Sequence, residues 1–343
     1  MAYVSLYRKW RPLGFSDVVG QDTIVKTLEN SLNNRRISHA YLFTGPRGTG
    51  KTTVARILAK GLNCQSGPTA TPCGKCRECQ TITEGTSLNA IEIDGASNRG
   101  IDDVRDLRSQ VQFAPINAAY KVYIIDEVHM LTTEAFNALL KTLEEPPAHV
   151  VFIFATTDPH RLPPTILSRV QRFDFVRFSE QSMVERMETV AQGEGLKVDL
   201  EALRLIAQHA AGGMRDALSI LEKCAAFAEE ITADAVVEVL GIAPQDQVDS
   251  FTTYILDDAK PEALQIIHDL HNQGRDLSQF ALSVVAKLRQ DILSGARKDE
   301  QLELRAIEQL SETVREMRFA SDPRIALELA VLKIAVPRFA ATS

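Results

Sequence analysis

The chain has 343 residues, room for two or three domains at about 150 residues each and for a buried core without disulfide staples. Hydrophobic residues make up 45% and charged residues 24%, which excludes a disordered or fibrous chain; no run approaches the ~18 consecutive apolar residues of a membrane span. The net charge of −7 is unevenly spread: residues 1–60 hold ten of the 38 Lys/Arg but three of the 45 Asp/Glu, so the remainder carries 28 basic and 42 acidic residues. That excludes wholesale coating of nucleic acid and suits a local anionic ligand near the N-terminus, a nucleotide or a nucleic-acid phosphate, although a solvated basic face would read the same way. The opening stretch lacks the apolar core of a secretory signal, so a cytoplasmic protein without membrane contact is expected.

In chain order, residues 39–45, 88–94, 121–127 and 149–157 are short, nearly continuous apolar runs rich in β-branched and aromatic residues. Such runs suit strands buried on both faces of a parallel sheet. Residues 171–178 are a candidate fifth strand. Helical spacing lies between them, as over 133–145, which ends at Pro146-Pro147. Strand–helix alternation predicts a doubly wound α/β domain over 1–178. From Ser179 the apolar spacing becomes three and four, broken by Gly, Thr and Asp, which predicts a small helical domain over 179–242. Residues 243–343 continue as longer amphipathic helices, an expected second all-helical domain. The end at Ala-Thr-Ser carries no cap-like segment, and a longer natural protein is expected.

Between the first strand run and the next helix, Gly45, Pro46, Arg47, Gly48, Thr49, Gly50, Lys51 and Thr52 fit GxxxxGK[ST], followed by Thr53. This is the strand–loop–helix context the phosphate-binding motif requires. Its glycines let backbone N–H groups curl around phosphates, and the helix N-terminus adds its dipole. Lys51 is expected on the β- and γ-phosphates, and the Thr52 hydroxyl on Mg²⁺. The run ending in Asp126-Glu127 supplies two carboxylates: Asp126 for Mg²⁺ and Glu127 to polarise an attacking water. Together the motifs predict nucleotide hydrolysis.

Cys64, Cys73, Cys76 and Cys79 have the spacing C-x8-C-x2-C-x2-C. In a chain expected in the cytoplasm such thiols are not expected to pair as disulfides; a closed tetrahedral Zn²⁺ site in a module at about 62–82 is the first reading, with an iron–sulfur cluster or redox thiols as alternatives. Cys224, alone in a helical pattern, reads as core.

The segments YRKWRPLGFSDVVGQ (7–21), HAYLFTGPRGTGKTT, the four-cysteine insertion, YIIDEVHMLTTEAFNALLKTLEEPP, FATTDPHRLPPTILSR and GGMRDALS together resemble the bacterial AAA+ clamp-loader ATPases. The resemblance implies a P-loop AAA+ domain with a zinc-binding insertion, a helical lid (179–242) and a helical collar for oligomerisation (243–343). It also assigns roles that spacing alone does not. Thr157 corresponds to sensor 1 near the γ-phosphate, and Arg215, next to Met214, to the lid arginine that touches bound nucleotide. Arg169 corresponds to an arginine finger reaching a neighbouring subunit's site; Val170 stands where the family has cysteine. Tyr7, Arg11, Pro12, Val18 and Val19 match the adenine-framing segment. The implied partners are other loader subunits in a five-subunit hetero-oligomer, a sliding clamp and primer–template DNA, with the DNA polymerase III core and helicase bound through a C-terminal region outside this chain. Arg99, Arg105 and Lys141 are weaker candidates for DNA phosphates. The rival readings are a non-hydrolysing loader scaffold and another AAA+ DNA motor such as a branch-migration helicase.

Overall fold

The computed structural model describes residues 3–98, 100, 107, 109, 111–295, 300–317 and 319–334. Arg99 and Arg105 lie outside these residues. The chain divides into two compact units, residues 1–231 and 232–343.

The first unit is built on five parallel strands: β1 (Ala40–Thr44), β2 (Ala90–Asp94), β3 (Lys121–Asp126), β4 (Val150–Thr156) and β5 (Gln171–Asp174), in the order β2-β3-β4-β1-β5. Each apolar run of the sequence supplies one of them, a little shorter than its run. Tyr41 and Phe43 point to one face, where they pack with Leu28 and Leu32 of α2 (Asp22–Asn33) and Leu58 and Leu62 of α3 (Lys51–Asn63). Leu42 points to the other and meets Phe152 and Phe154 of β4, with Phe136, Leu139 and Leu143 of α5 (Thr133–Glu144). Burial on both faces is why β1, β3 and β4 read as continuous rather than alternating, whereas the edge strands β2 and β5 expose alternate residues. Thr132 caps α5 by accepting from Ala135 N.

The short helix α1 (Leu6–Lys9) precedes α2, and α4 (Arg77–Glu84) follows the cysteine loop. After α6 (Pro164–Leu167) and β5 come the helices α7 (Glu180–Glu194), α8 (Leu200–His209) and α9 (Met214–Phe227). Helix alone does not describe this region. Two-residue strands β6 (Lys197–Val198) and β7 (Glu230–Ile231) pair in parallel; runs of two residues carry no periodicity by which a sequence could announce them.

The second unit holds α10 (Ala233–Leu240), α11 (Gln245–Leu256), α12 (Lys260–Asn272), α13 (Leu277–Ser294), α14 (Glu300–Met317) and α15 (Pro323–Ile334). Its core joins Phe251, Ile267, Phe280, Leu288, Leu310 and Leu327, and Phe251 meets Phe280 edge-on at 4.9 Å between ring centroids. Helix α10, read from sequence with the preceding helices, falls in this second unit. Among the described residues no helix is long and apolar enough to cross a membrane.

Candidate functional site

The order of the sheet builds the site. β4 lies between β1 and β3, so the C-terminal ends of the three strands bring the glycine loop, the Asp126-Glu127 pair and Thr156-Thr157 side by side. Ligands of open α/β sheets sit at these carboxyl ends. Gly45 N donates to Thr156 O at 3.2 Å, joining the loop to the end of β4.

The loop from Gly45 to Gly50 closes onto the first residue of α3. Gly45 has φ +141°, and a Cβ there would lie 2.3 Å from Phe175 O. Gly48 has φ +77° and its Cβ would come 3.0 Å from the Cα of Gly213, just before α9. Both positions therefore need glycine, one for the sheet and one for the approach of α9. Lys51 is buried, and its ammonium donates to Gly45 O at 2.7 Å and Pro46 O at 2.8 Å. Burial lowers its pKa, opposed by the nearby charges of Glu127 and Asp126. Thr49 Oγ1 donates to Pro46 O at 2.9 Å, bracing the loop from within.

Thr52 Oγ1 donates to Asp126 Oδ2 at 2.7 Å. A hydroxyl and a carboxylate oxygen this close offer the hard oxygen donors that Mg²⁺ takes. Glu127 follows in the left-handed region, φ +45°, a conformation that costs a non-glycine residue about 1–3 kcal/mol and clusters at functional sites. Its Oε2 accepts from Thr157 N at 3.1 Å and from Thr157 Oγ1 at 2.9 Å. His129 Nδ1 lies 3.3 Å from the same oxygen and 2.9 Å from Thr156 Oγ1.

A cavity of about 630 Å³ opens over the loop, a size suited to a small-molecule ligand. Of the residues singled out in the sequence, Tyr7, Arg11, Pro12, Val18 and Val19 line it, with Arg47 to Thr53, Asp126, Glu127, Met214 and Arg215. Gly45, Pro46, Thr157 and Arg169 are not among the lining residues. The Arg215 guanidinium stacks over the Tyr7 ring at 4.8 Å. Burial lowers the pKa of Arg11.

Sequence reading missed Trp10 and Arg186. Arg186 donates to Trp10 O at 3.0 Å and lies 5.9 Å from the indole centroid. Trp10 Nε1 donates to Glu194 Oε1 at 2.6 Å, and Lys9 Nζ to Glu194 Oε2 at 2.8 Å. A Cβ on Gly193 would collide with the indole at 2.3 Å. Arg186 looks like any solvated helix charge until α7 is folded against the N-terminal segment, so nothing in its local sequence marked it.

The four cysteine Sγ atoms lie within 4.8 Å of one another. A tetrahedral site with Zn–S bonds near 2.3 Å needs sulfurs about 3.8 Å apart, so the cluster fits a metal of this kind. Burial raises the Cys64 thiol, but hydrogen bonds from Cys73 and Ser66 outweigh it and bring the pKa to about 6; burial pushes Cys79 upward. Cys224 is buried in α9, its thiol raised to about 11 by burial, as a core residue.

Residues 20–179 match the family model of the DNA polymerase III delta subunit, and residues 182–230 that of the DNA polymerase III clamp loader subunit ATPase lid domain. The tau subunit of DNA polymerase III from Bacillus subtilis is 44% identical over 97% of this chain and 63% of its own length. The Buchnera aphidicola gamma subunit is 35% identical over 97% of this chain and 99% of its own. The chain belongs to the DNA polymerase III gamma/tau subunit family. It spans 45% of the family's Escherichia coli tau subunit, to which it is 44% identical. The family's lid match takes in α7 to α9, the helices that carry Arg186, Met214 and Arg215 to the cavity. Among solved structures, the Thermotoga maritima RuvB Holliday junction branch migration motor shares the fold, with a TM-score of 0.52 over 72% of this chain and 79% of that one at 21% identity.

Proposed function

We propose that the chain binds ATP with Mg²⁺ in the cavity above the glycine loop and hydrolyses it as one subunit of a clamp loader. The loader would place a sliding clamp on primer–template DNA during replication in the cytoplasm. The observation that carries the proposal is the convergence on one cleft of Lys51, the hydrogen-bonded Thr52–Asp126 pair, Glu127 and the lid residue Arg215. A scaffold that no longer hydrolyses nucleotide has no use for this full set.

In this reading the loop N–H groups and Lys51 hold the phosphates, Thr52 and Asp126 hold the metal, and Tyr7, Arg11, Pro12, Val18 and Val19 frame the base. When bound, Mg²⁺ supplies neutralisation of the phosphate charge. Glu127 takes a proton from the attacking water through Oε1, the oxygen that Thr157 does not hold, while the two Thr157 bonds to Oε2 orient the carboxylate. Arg215 rides on α9, so contact with nucleotide draws the lid onto the loop. Arg169 lies outside the cavity and serves a neighbouring subunit's γ-phosphate. Guanidinium suits that task because it stays charged and donates to two oxygens at once. The four cysteines hold a structural zinc, and residues 243–343 assemble the chain with its partner subunits in a five-membered hetero-oligomer.

The test is ATP hydrolysis by the chain reconstituted with candidate loader subunits, clamp and primed DNA. Stimulation by clamp and DNA, lost with Lys51→Ala, is expected. Absence of hydrolysis in every mixture would favour the scaffold reading, and hydrolysis stimulated by branched DNA without clamp would favour a motor.

A further inference from the structure

The guanidinium of Arg169 is engaged within its own chain. Its Nη2 donates to Glu144 Oε1 at 2.8 Å, and its Nη1 to Thr165 O at 2.8 Å and Ser168 Oγ at 3.0 Å. Three of its five N–H donors are thereby committed. Glu144 is the last residue of α5. Unpaired carbonyls make a helix C-terminus negative, so this position favours a cation and penalises a carboxylate. Glu145 follows, adding a second carboxylate. A residue that breaks a local rule in this way calls for a compensating gain. Arg169 supplies it: the chain after α6 returns the guanidinium to the end of α5. Both side chains keep access to water, 34% exposed for Arg169 and 51% for Glu144.

We propose that Glu144 is a positioning residue that parks Arg169 against the end of α5 until a neighbouring subunit's triphosphate takes it. The inference rests on the trans-acting role of Arg169 given above. Carboxylate and phosphate oxygens are the same class of acceptor for a guanidinium edge, so a phosphate approaching that edge competes directly with Glu144. An ion pair this exposed shifts an equilibrium by up to about five-fold, small enough for a more highly charged phosphate to displace it. The released fraction of Arg169 then sets how often the neighbouring subunit hydrolyses ATP in the absence of DNA, since only that fraction completes the neighbour's site.

The experiment uses the reconstituted complex with Glu144→Gln, Arg169→Ala and the double variant. Glutamine keeps the shape and removes the charge. Glu144→Gln is expected to raise DNA-independent hydrolysis about two- to five-fold. The increase should vanish in the Arg169→Ala background, a non-additive cycle that general damage to α5 would not produce. A second readout needs no partner subunits: in the isolated chain, nitrogen NMR of the Arg169 guanidinium should show rotation about its C–N bonds that is slowed in the wild type and faster in Glu144→Gln. If Arg169→Ala cripples the complex while Glu144→Gln leaves hydrolysis unchanged or lower, the parking role is overturned and the trans role stands. If Arg169→Ala leaves hydrolysis intact, the trans role fails and the parking role with it.

Discussion

Lys51 shows how much one side chain carries. Its ammonium holds two carbonyls of the glycine loop. Lys51→Ala removes charge-assisted bonds of about 1.5–3 kcal/mol, so ATP affinity is expected to fall by about 10- to 100-fold, measured by titration calorimetry, with the circular dichroism spectrum unchanged. Glu127→Gln should behave differently. Glutamine keeps an oxygen to accept from Thr157 yet cannot take a proton, so hydrolysis should fall about 10²–10⁴-fold while ATP affinity stays within a few-fold of wild type. Single-turnover measurement beside equilibrium binding separates the two, and equal losses of binding in both variants would refute the division of roles.

At the scale of elements, the N-terminal segment is strapped to helices that line the cavity. Tyr3 and Leu6 N bind Glu222 of α9, and Lys9 and Trp10 bind Glu194 of α7. Hydrogen bonds from Lys9 and Trp10 hold the Glu194 carboxyl below its usual 4.5. A carboxylate depressed on folding stabilises fully above its unfolded pKa, and that contribution is lost as pH falls through the lower folded value. Acidification from pH 5 through the folded pKa should therefore loosen the strap. Trp10 is the chain's one tryptophan, so its fluorescence reports the event directly: a red shift on acidification is expected, already present at pH 7 in Glu194→Gln. A Trp10 emission that ignores both changes would disprove the strap. The cysteine loop and α4 form another such element. One zinc per chain is expected by elemental analysis, and chelation should raise hydrogen exchange over residues 64–84 more than it lowers ATP binding.

For the whole molecule, the two units divide the work. The residues lining the cavity above the glycine loop belong to the first unit, and the second has a core of its own around Phe251, Phe280 and Leu310. Leu310→Ala opens a void at a fully buried position and should cost about 2–5 kcal/mol, read by denaturant melts, while ATP affinity of the folded protein changes less than two-fold. A large loss of affinity would mean that the cavity depends on the second unit's packing.

Local sequence sufficed for the strands, the glycine loop, the Asp126-Glu127 pair and the four cysteines. Each is a short continuous stretch whose chemistry demands particular residues: apolar runs for strands buried on both faces, glycines where φ is positive, thiols at the spacing of a metal clamp. Thr157, Arg169 and Arg215 carried no such local mark, and their roles came only with resemblance to a family. Tertiary structure alone decided the insertion of β4 between β1 and β3, which sets Thr157 against Glu127 across 30 residues of sequence. It also decided the return of the chain after α6 to the end of α5, and the closure of Trp10 onto Gly193 and Arg186. These contacts join residues far apart in the chain, and a single charged or aromatic side chain on a helix looks the same in sequence whether it faces water or a partner. Only the packing of one element on another removes that ambiguity.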